Sequence, residues 1–147
     1  MSATPFLYER AVRFEEVDAA AIVFFGRYLG YCHEAMEAML APVDGGYAGL
    51  VMTRKIGLPA VRVEADYKAP LRFGDSMQIA VTVEHIGTSS SVFRYEISRI
   101  LPDRTLGDVV SLIRHIVVLS DLTRLHSTPI PADVRRVLAT HHIPPKG

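Results

Sequence analysis

One stretch of helical periodicity, standing among segments that alternate every second residue, most constrains what this chain can fold into. From Phe24 to about Leu40, Phe25, Leu29, Cys32, Met36 and Leu40 recur at spacings of three or four, with Tyr28 and Met39 widening the stripe. Gly26 and Gly30 weaken such a helix by about 1 kcal/mol each relative to Ala. Their missing side chains would let a sheet or ligand approach closely. Pro42 and Gly45-Gly46 end it.

Period two dominates elsewhere. Tyr8 to Phe14 reads as a first strand that runs into the acidic turn Glu15-Glu16-Val17-Asp18. Val61, Val63, Ala65 and Tyr67 alternate with Arg62, Glu64, Asp66 and Lys68, the pattern of a half-buried strand. Met77, Ile79, Val81 and Val83 repeat the pattern, and Val92 to Ile100 follows after a polar turn at Gly87 to Ser91. Val109 to Leu119 is apolar on both faces, as a central strand should be. Pro131 to His142 reads as a short C-terminal helix. The expected class is α+β, with an antiparallel sheet of five to six strands wrapped around one long helix.

No repeat or linker divides the chain. Residues 1–147 therefore read as one domain, with a core at about 8–125 and a tail at 126–147. Sixteen basic residues balance sixteen acidic ones, so the basic excess of a nucleic-acid binder is missing. The single cysteine, Cys32, forms no internal disulfide and suits a reducing compartment. No apolar run reaches the roughly 20 residues of a membrane span, and no signal peptide is evident. The expectation is a cytoplasmic protein.

The run from Val12 through Asp18, Ala19-Ala20-Ala21, Ile22-Val23, Phe24-Phe25, Gly26 and Tyr28 resembles the signature of the 4-hydroxybenzoyl-CoA thioesterase family. Glu34 on the helix and the segment Glu64 to Asp75, with its Ala-Pro turn, extend the similarity across about residues 8 to 125. The resemblance implies a hotdog fold and hydrolysis of acyl-CoA or related thioesters without metal or redox cofactor. It also implies homo-oligomers, dimers or tetramers, with sites at the dimer interface. The sequence departs from the family at Ala21, where Gly is frequent, and at Arg27, where Asn is frequent.

By that resemblance Asp18 is the catalytic carboxylate, acting either as nucleophile or as general base for water. Read without the surrounding motif, an Asp here would simply cap a turn. Backbone N–H groups of Phe25 and Gly26 at the helix start would receive the oxyanion. Tyr28, Glu34, Arg62, Thr88 and Ser89 are candidate substrate contacts, with Arg54 and Lys55 as further cations for CoA phosphates. Glu16 reads as a solvated turn residue, although on an extended segment it shares a face with Asp18. His33, His115 and Cys32 read as packed or interface residues. No metal-ligand set and no Gly-x-Ser-x-Gly elbow appears. Two other readings stay open: a hydratase on the same fold, and a non-catalytic acyl-CoA module. Acyl carrier protein also stays open as the thioester carrier.

Overall fold

The computed structural model describes residues 2–146. Strand β1 (Phe6–Ala11) leads through a 3-10 turn at Phe14–Glu16 to helix α1 (Arg27–Met39). A three-residue helix α2 (Gly46–Ala48) and a π-turn at Gly49–Thr53 follow. The strands come next: β2 (Ile56–Gly57), β3 (Ala60–Tyr67), β4 (Ser76–Ile86), β5 (Ser90–Ile100) and β6 (Leu106–Val118). The short strands β7 (Ser120–Asp121) and β8 (His126–Ser127) precede helix α3 (Ala132–Thr140).

Five strands form one antiparallel sheet in the order β1-β4-β5-β6-β3, and β2, β7 and β8 form a small second one. The alternation read from the sequence fixes which face is buried. Met77, Ile79, Val81 and Val83 on β4 and Phe93, Tyr95 and Ile97 on β5 are all fully buried. Against them α1 lays Tyr28, Tyr31, Cys32, Ala35, Met36 and Met39. This is the hotdog arrangement, a curved sheet around one long helix.

Four expectations change. The helix starts three residues later than Phe24, because residues 17–23 close a small hairpin that bridges Val17 to Val23. Phe25 and Leu29 do not join the core: they are 63% and 44% exposed, Phe25 at the cleft before α1 and Leu29 at a cavity that faces β3. Gly30 admits no close neighbour, as a Cβ built there meets nothing within 4 Å. Strand β3 is an outer edge rather than half-buried, with Val61 and Val63 60% and 41% exposed.

Among the described residues, no helix is long and apolar enough to cross a membrane.

Candidate active site

Asp18 opens the tight loop that separates the two arms of the hairpin. Its N–H donates to the Ile22 carbonyl at 2.9 Å, and Ala21 N–H donates to the Asp18 carbonyl at 2.9 Å. The carboxylate takes part as well, because Oδ1 accepts the Ala20 N–H at 2.8 Å. That turn-capping role uses one oxygen and leaves Oδ2 without a partner among the described residues. The hairpin is stitched to the β3–β4 connection by Val23 N–H to the Leu71 carbonyl, 2.8 Å. Asp18 is thereby held on the lip of a cleft of about 530 Å³.

Aromatic side chains form the walls of this cleft. Phe24, Phe25, Tyr28 and Tyr67 line it, with Lys68 and Pro70 closing the side formed by the end of β3. Tyr28 is buried, its ring edge-on to Tyr31 and Tyr67, and its hydroxyl accepts the Leu71 N–H at 3.3 Å. Tyr67 donates its hydroxyl to the Phe25 carbonyl at 3.1 Å, tying the edge strand to the approach of α1. At that helix start, Gly26 occupies the capping position with no side-chain cap. Arg27 N–H is already bonded to the Phe24 carbonyl, whereas the N–H groups of Phe25 and Gly26 have no acceptor among the described residues.

Ala21 stands at φ +64°, in the left-handed region that glycine reaches at least cost. Ala21→Gly is therefore expected to stabilise the protein by about 1 kcal/mol. Chemical denaturation of the two proteins measures it.

The structure brings together Asp18, Phe25, Gly26 and Tyr28 but not the other candidates. Glu34 does not line the cleft; its Oε1 accepts from Tyr8 Oη at 3.1 Å and pairs with Arg10 Nε at 3.2 Å. Arg62 lies exposed on β3, paired with Glu64 at 2.7 Å. Thr88 and Ser89 sit at the β4–β5 turn, while β1 and the Asp18 hairpin meet the Ser76 end of β4. Eleven residues of β4 separate those ends, roughly 30 Å of extended chain. Thr88 and Ser89 therefore lie far from this cleft within the protomer. Arg54 is committed to Asp133 through bonds of 2.7 and 3.0 Å, which hold that carboxyl well below the usual carboxylate range.

Glu16 is the largest departure from expectation. It is buried at 6% exposure, not solvated. Burial pushes its carboxyl upward, but hydrogen bonds from Arg13 N–H, the Arg10 guanidinium and the Tyr31 hydroxyl overcome this and hold it below its ordinary value. Sequence spacing gives no sign of the Arg10 contact, which joins β1 to the turn before Asp18. Tyr67 and Lys68 also line the cleft without belonging to the motif around Asp18; the signal for them is their place at the end of a strand, before Ala69-Pro70. His33, Cys32 and His115 line a separate cavity of about 220 Å³ farther along α1. Tyr95 Oη lies 3.1 Å from His115 Nδ1, and burial pushes the imidazole below its usual value.

A model of the thioesterase-like superfamily matches residues 12–138. The chain belongs to this superfamily. Membership makes it a thioester hydrolase, consistent with an exposed carboxylate beside an aromatic cleft. A 1,4-dihydroxy-2-naphthoyl-CoA hydrolase of Nostoc punctiforme is 28% identical over 145 residues, covering 97% of this chain and 92% of that one. The enzyme of that name from Synechococcus sp. strain CC9311 is 30% identical over 133 residues, with 86% and 85% covered. Among solved structures, the 1,4-dihydroxy-2-naphthoyl-CoA thioesterase of Synechocystis superposes with a TM-score of 0.78 at 25% identity, covering 91% of this chain and 95% of that chain. The 4-hydroxybenzoyl-CoA thioesterase of Pseudomonas sp. strain CBS-3 has a TM-score of 0.79 at 23% identity, with 92% and 99% covered, and shows the shared fold.

Proposed function

We propose that this chain is a single-domain, cytoplasmic acyl-CoA thioesterase whose substrates are hydroxyaryl-CoA thioesters. The observation that carries the reading is the placement of Asp18 in one aromatic cleft with Phe25, next to a helix start where the N–H groups of Phe25 and Gly26 have no acceptor among the described residues. A thioester carbonyl is already electrophilic, because sulfur donates poorly into it and departs as a thiolate. The site needs an attacking oxygen and a receiver for the oxyanion. Asp18 supplies the first, by attacking the carbonyl itself or by taking a proton from water. The amides of Phe25 and Gly26 supply the second, aided by the positive end of the α1 dipole. The rings of Phe24, Phe25, Tyr28 and Tyr67 suit a planar acyl group. Several relatives named for aryl-CoA substrates support this choice over an aliphatic chain.

Thiol release from a panel of hydroxybenzoyl-, dihydroxynaphthoyl- and straight-chain acyl-CoA thioesters tests the reading. Faster release from the aryl thioesters is expected. Preference for aliphatic chains would replace the substrate class, and release from none would remove the activity.

The working form is a homo-oligomer paired at β3. That strand is an unpaired sheet edge carrying exposed Val61, Val63 and Tyr67, beside exposed Phe24 and Phe25 at the cleft. Edges of this kind invite pairing, and an apolar surface so extensive is unusual on a monomer. Light scattering after gel filtration is expected to show at least a dimer. The Val61→Asp/Val63→Asp variant is expected to run as a monomer with lower turnover; a wild-type monomer with full activity would sink the idea.

A further inference from the structure

Resting on the assignment of Asp18 as the reacting carboxylate, we propose that Arg10, Glu16 and Tyr31 form a positioning cluster that sets the Asp18 loop against the start of α1.

Three elements meet at Arg10. It belongs to β1, it holds the turn just before Asp18, and it touches two residues of α1. Nη1 donates to both oxygens of Glu16, at 3.1 and 2.9 Å. Nε lies 3.2 Å from Glu34 Oε1, and the guanidinium carbon stands 4.3 Å from the centre of the Tyr31 ring. Tyr31 in turn donates its hydroxyl to Glu16 Oε1 at 2.9 Å. Glu16 also accepts the Arg13 N–H at 2.8 Å, so three groups converge on one carboxylate. Its backbone carbonyl accepts the Phe24 N–H at 3.1 Å. Glu16 is thus fixed through side chain and main chain, two residues from Asp18, and through Phe24 it also fixes the approach to Gly26.

Stability does not call for this arrangement. Arg10, Glu16 and Tyr31 are 9%, 6% and 1% exposed, so the ion pair is desolvated. Replacing such a pair by apolar groups of similar volume is often neutral or stabilising, whereas removing one partner is costly. Arg10 Nη2 is buried with no acceptor among the described residues. What the charged cluster adds over an apolar plug is direction. Charge-assisted bonds from β1 and α1 onto one carboxylate allow few alternative placements of the turn. Both halves of the proposed site, the carboxylate and the amides, hang from that turn. A displacement of about 1 Å between reacting groups can cost about 10²-fold in rate.

The test separates positioning from folding. Steady-state hydrolysis of 1,4-dihydroxy-2-naphthoyl-CoA and 4-hydroxybenzoyl-CoA is measured beside urea denaturation for wild type, Tyr31→Phe, Arg10→Met, Arg10→Met/Glu16→Met and Asp18→Asn. Tyr31→Phe keeps the ring and loses one bond; kcat is expected to fall about tenfold with KM changed less than about twofold. Arg10→Met is expected to be destabilised because it leaves Glu16 without its counter-charge, and in the double variant kcat is expected to stay at least about tenfold below wild type. Wild-type kcat in the double variant would overturn the proposal. If the double variant does not fold, an unchanged kcat in Tyr31→Phe overturns it instead. Asp18→Asn distinguishes the two readings: inactivity there with wild-type kcat in Tyr31→Phe and the double variant removes the positioning role alone. Full turnover in Asp18→Asn, or no turnover in wild type, removes both.

Discussion

Asp18→Asn is expected to lower kcat by about 10²–10⁴-fold while leaving the fold and the binding of substrate nearly unchanged. The size follows from what the substitution removes. Asn keeps the shape of the side chain and its carbonyl oxygen, so the bond that Asp18 Oδ1 accepts from Ala20 N–H, 2.8 Å, survives. The loop therefore stays closed. What is lost is the negative charge on the second oxygen, and with it the capacity to attack a carbonyl or to accept a proton from water. The competing account makes Asp18 only a turn cap. It predicts that Asn, which caps turns equally well, retains full turnover. Thiol release under single-turnover and steady-state conditions tells the two apart, and circular dichroism checks that the variant is folded. A rise in KM with kcat unchanged would instead mark Asp18 as a binding group and leave the attacking oxygen unassigned.

The sequence carried the fold further than it carried the site. Alternation on β4 reported burial faithfully, because a strand inside a sheet has one face on the core and its neighbours on both edges. The pattern failed on β3, where Val61 and Val63 keep a strand's periodicity but stand at an unpaired edge. Alternation reports that two faces differ, and it does not report whether a partner covers the apolar one. The loop that carries Asp18 was legible because it is local: small residues, an Asx-type bond and the return at Val23 all lie within a few positions. Glu16 was not, since its burial depends on Arg10 from β1 and Tyr31 from α1, residues 6 and 15 positions away. A carboxylate in an acidic turn looks solvated until tertiary structure brings it a guanidinium. Thr88 and Ser89 show the converse limit, for motif similarity placed them near substrate while this protomer puts them at the far end of β4.

Met36→Ala is expected to destabilise the protein by about 2–5 kcal/mol, whereas Leu29→Ala should cost no more than about 0.5 kcal/mol. Both residues belong to the stripe that the helical spacing defines, and both are large and apolar. They differ in how fully the sheet covers them. Met36 is 2% exposed and packs in the cluster with Ile79, Val81 and Tyr95. Truncating it removes buried surface and leaves a cavity, because the strands on the opposite side are locked by their own pairing and cannot close in. Leu29 is 44% exposed, on the first turn of α1 at the rim of the cavity it shares with Ala60 and Val63 of β3. Its truncation widens a cavity already open to solvent and leaves no closed void in the protomer. Urea denaturation at low protein concentration compares the two. Equal losses would mean that the first turns of α1 are covered as fully as its centre. A loss at Leu29 that grows as the protein is concentrated would place this residue beneath a second copy of the chain, because subunit association stabilises only the folded form and does so by mass action.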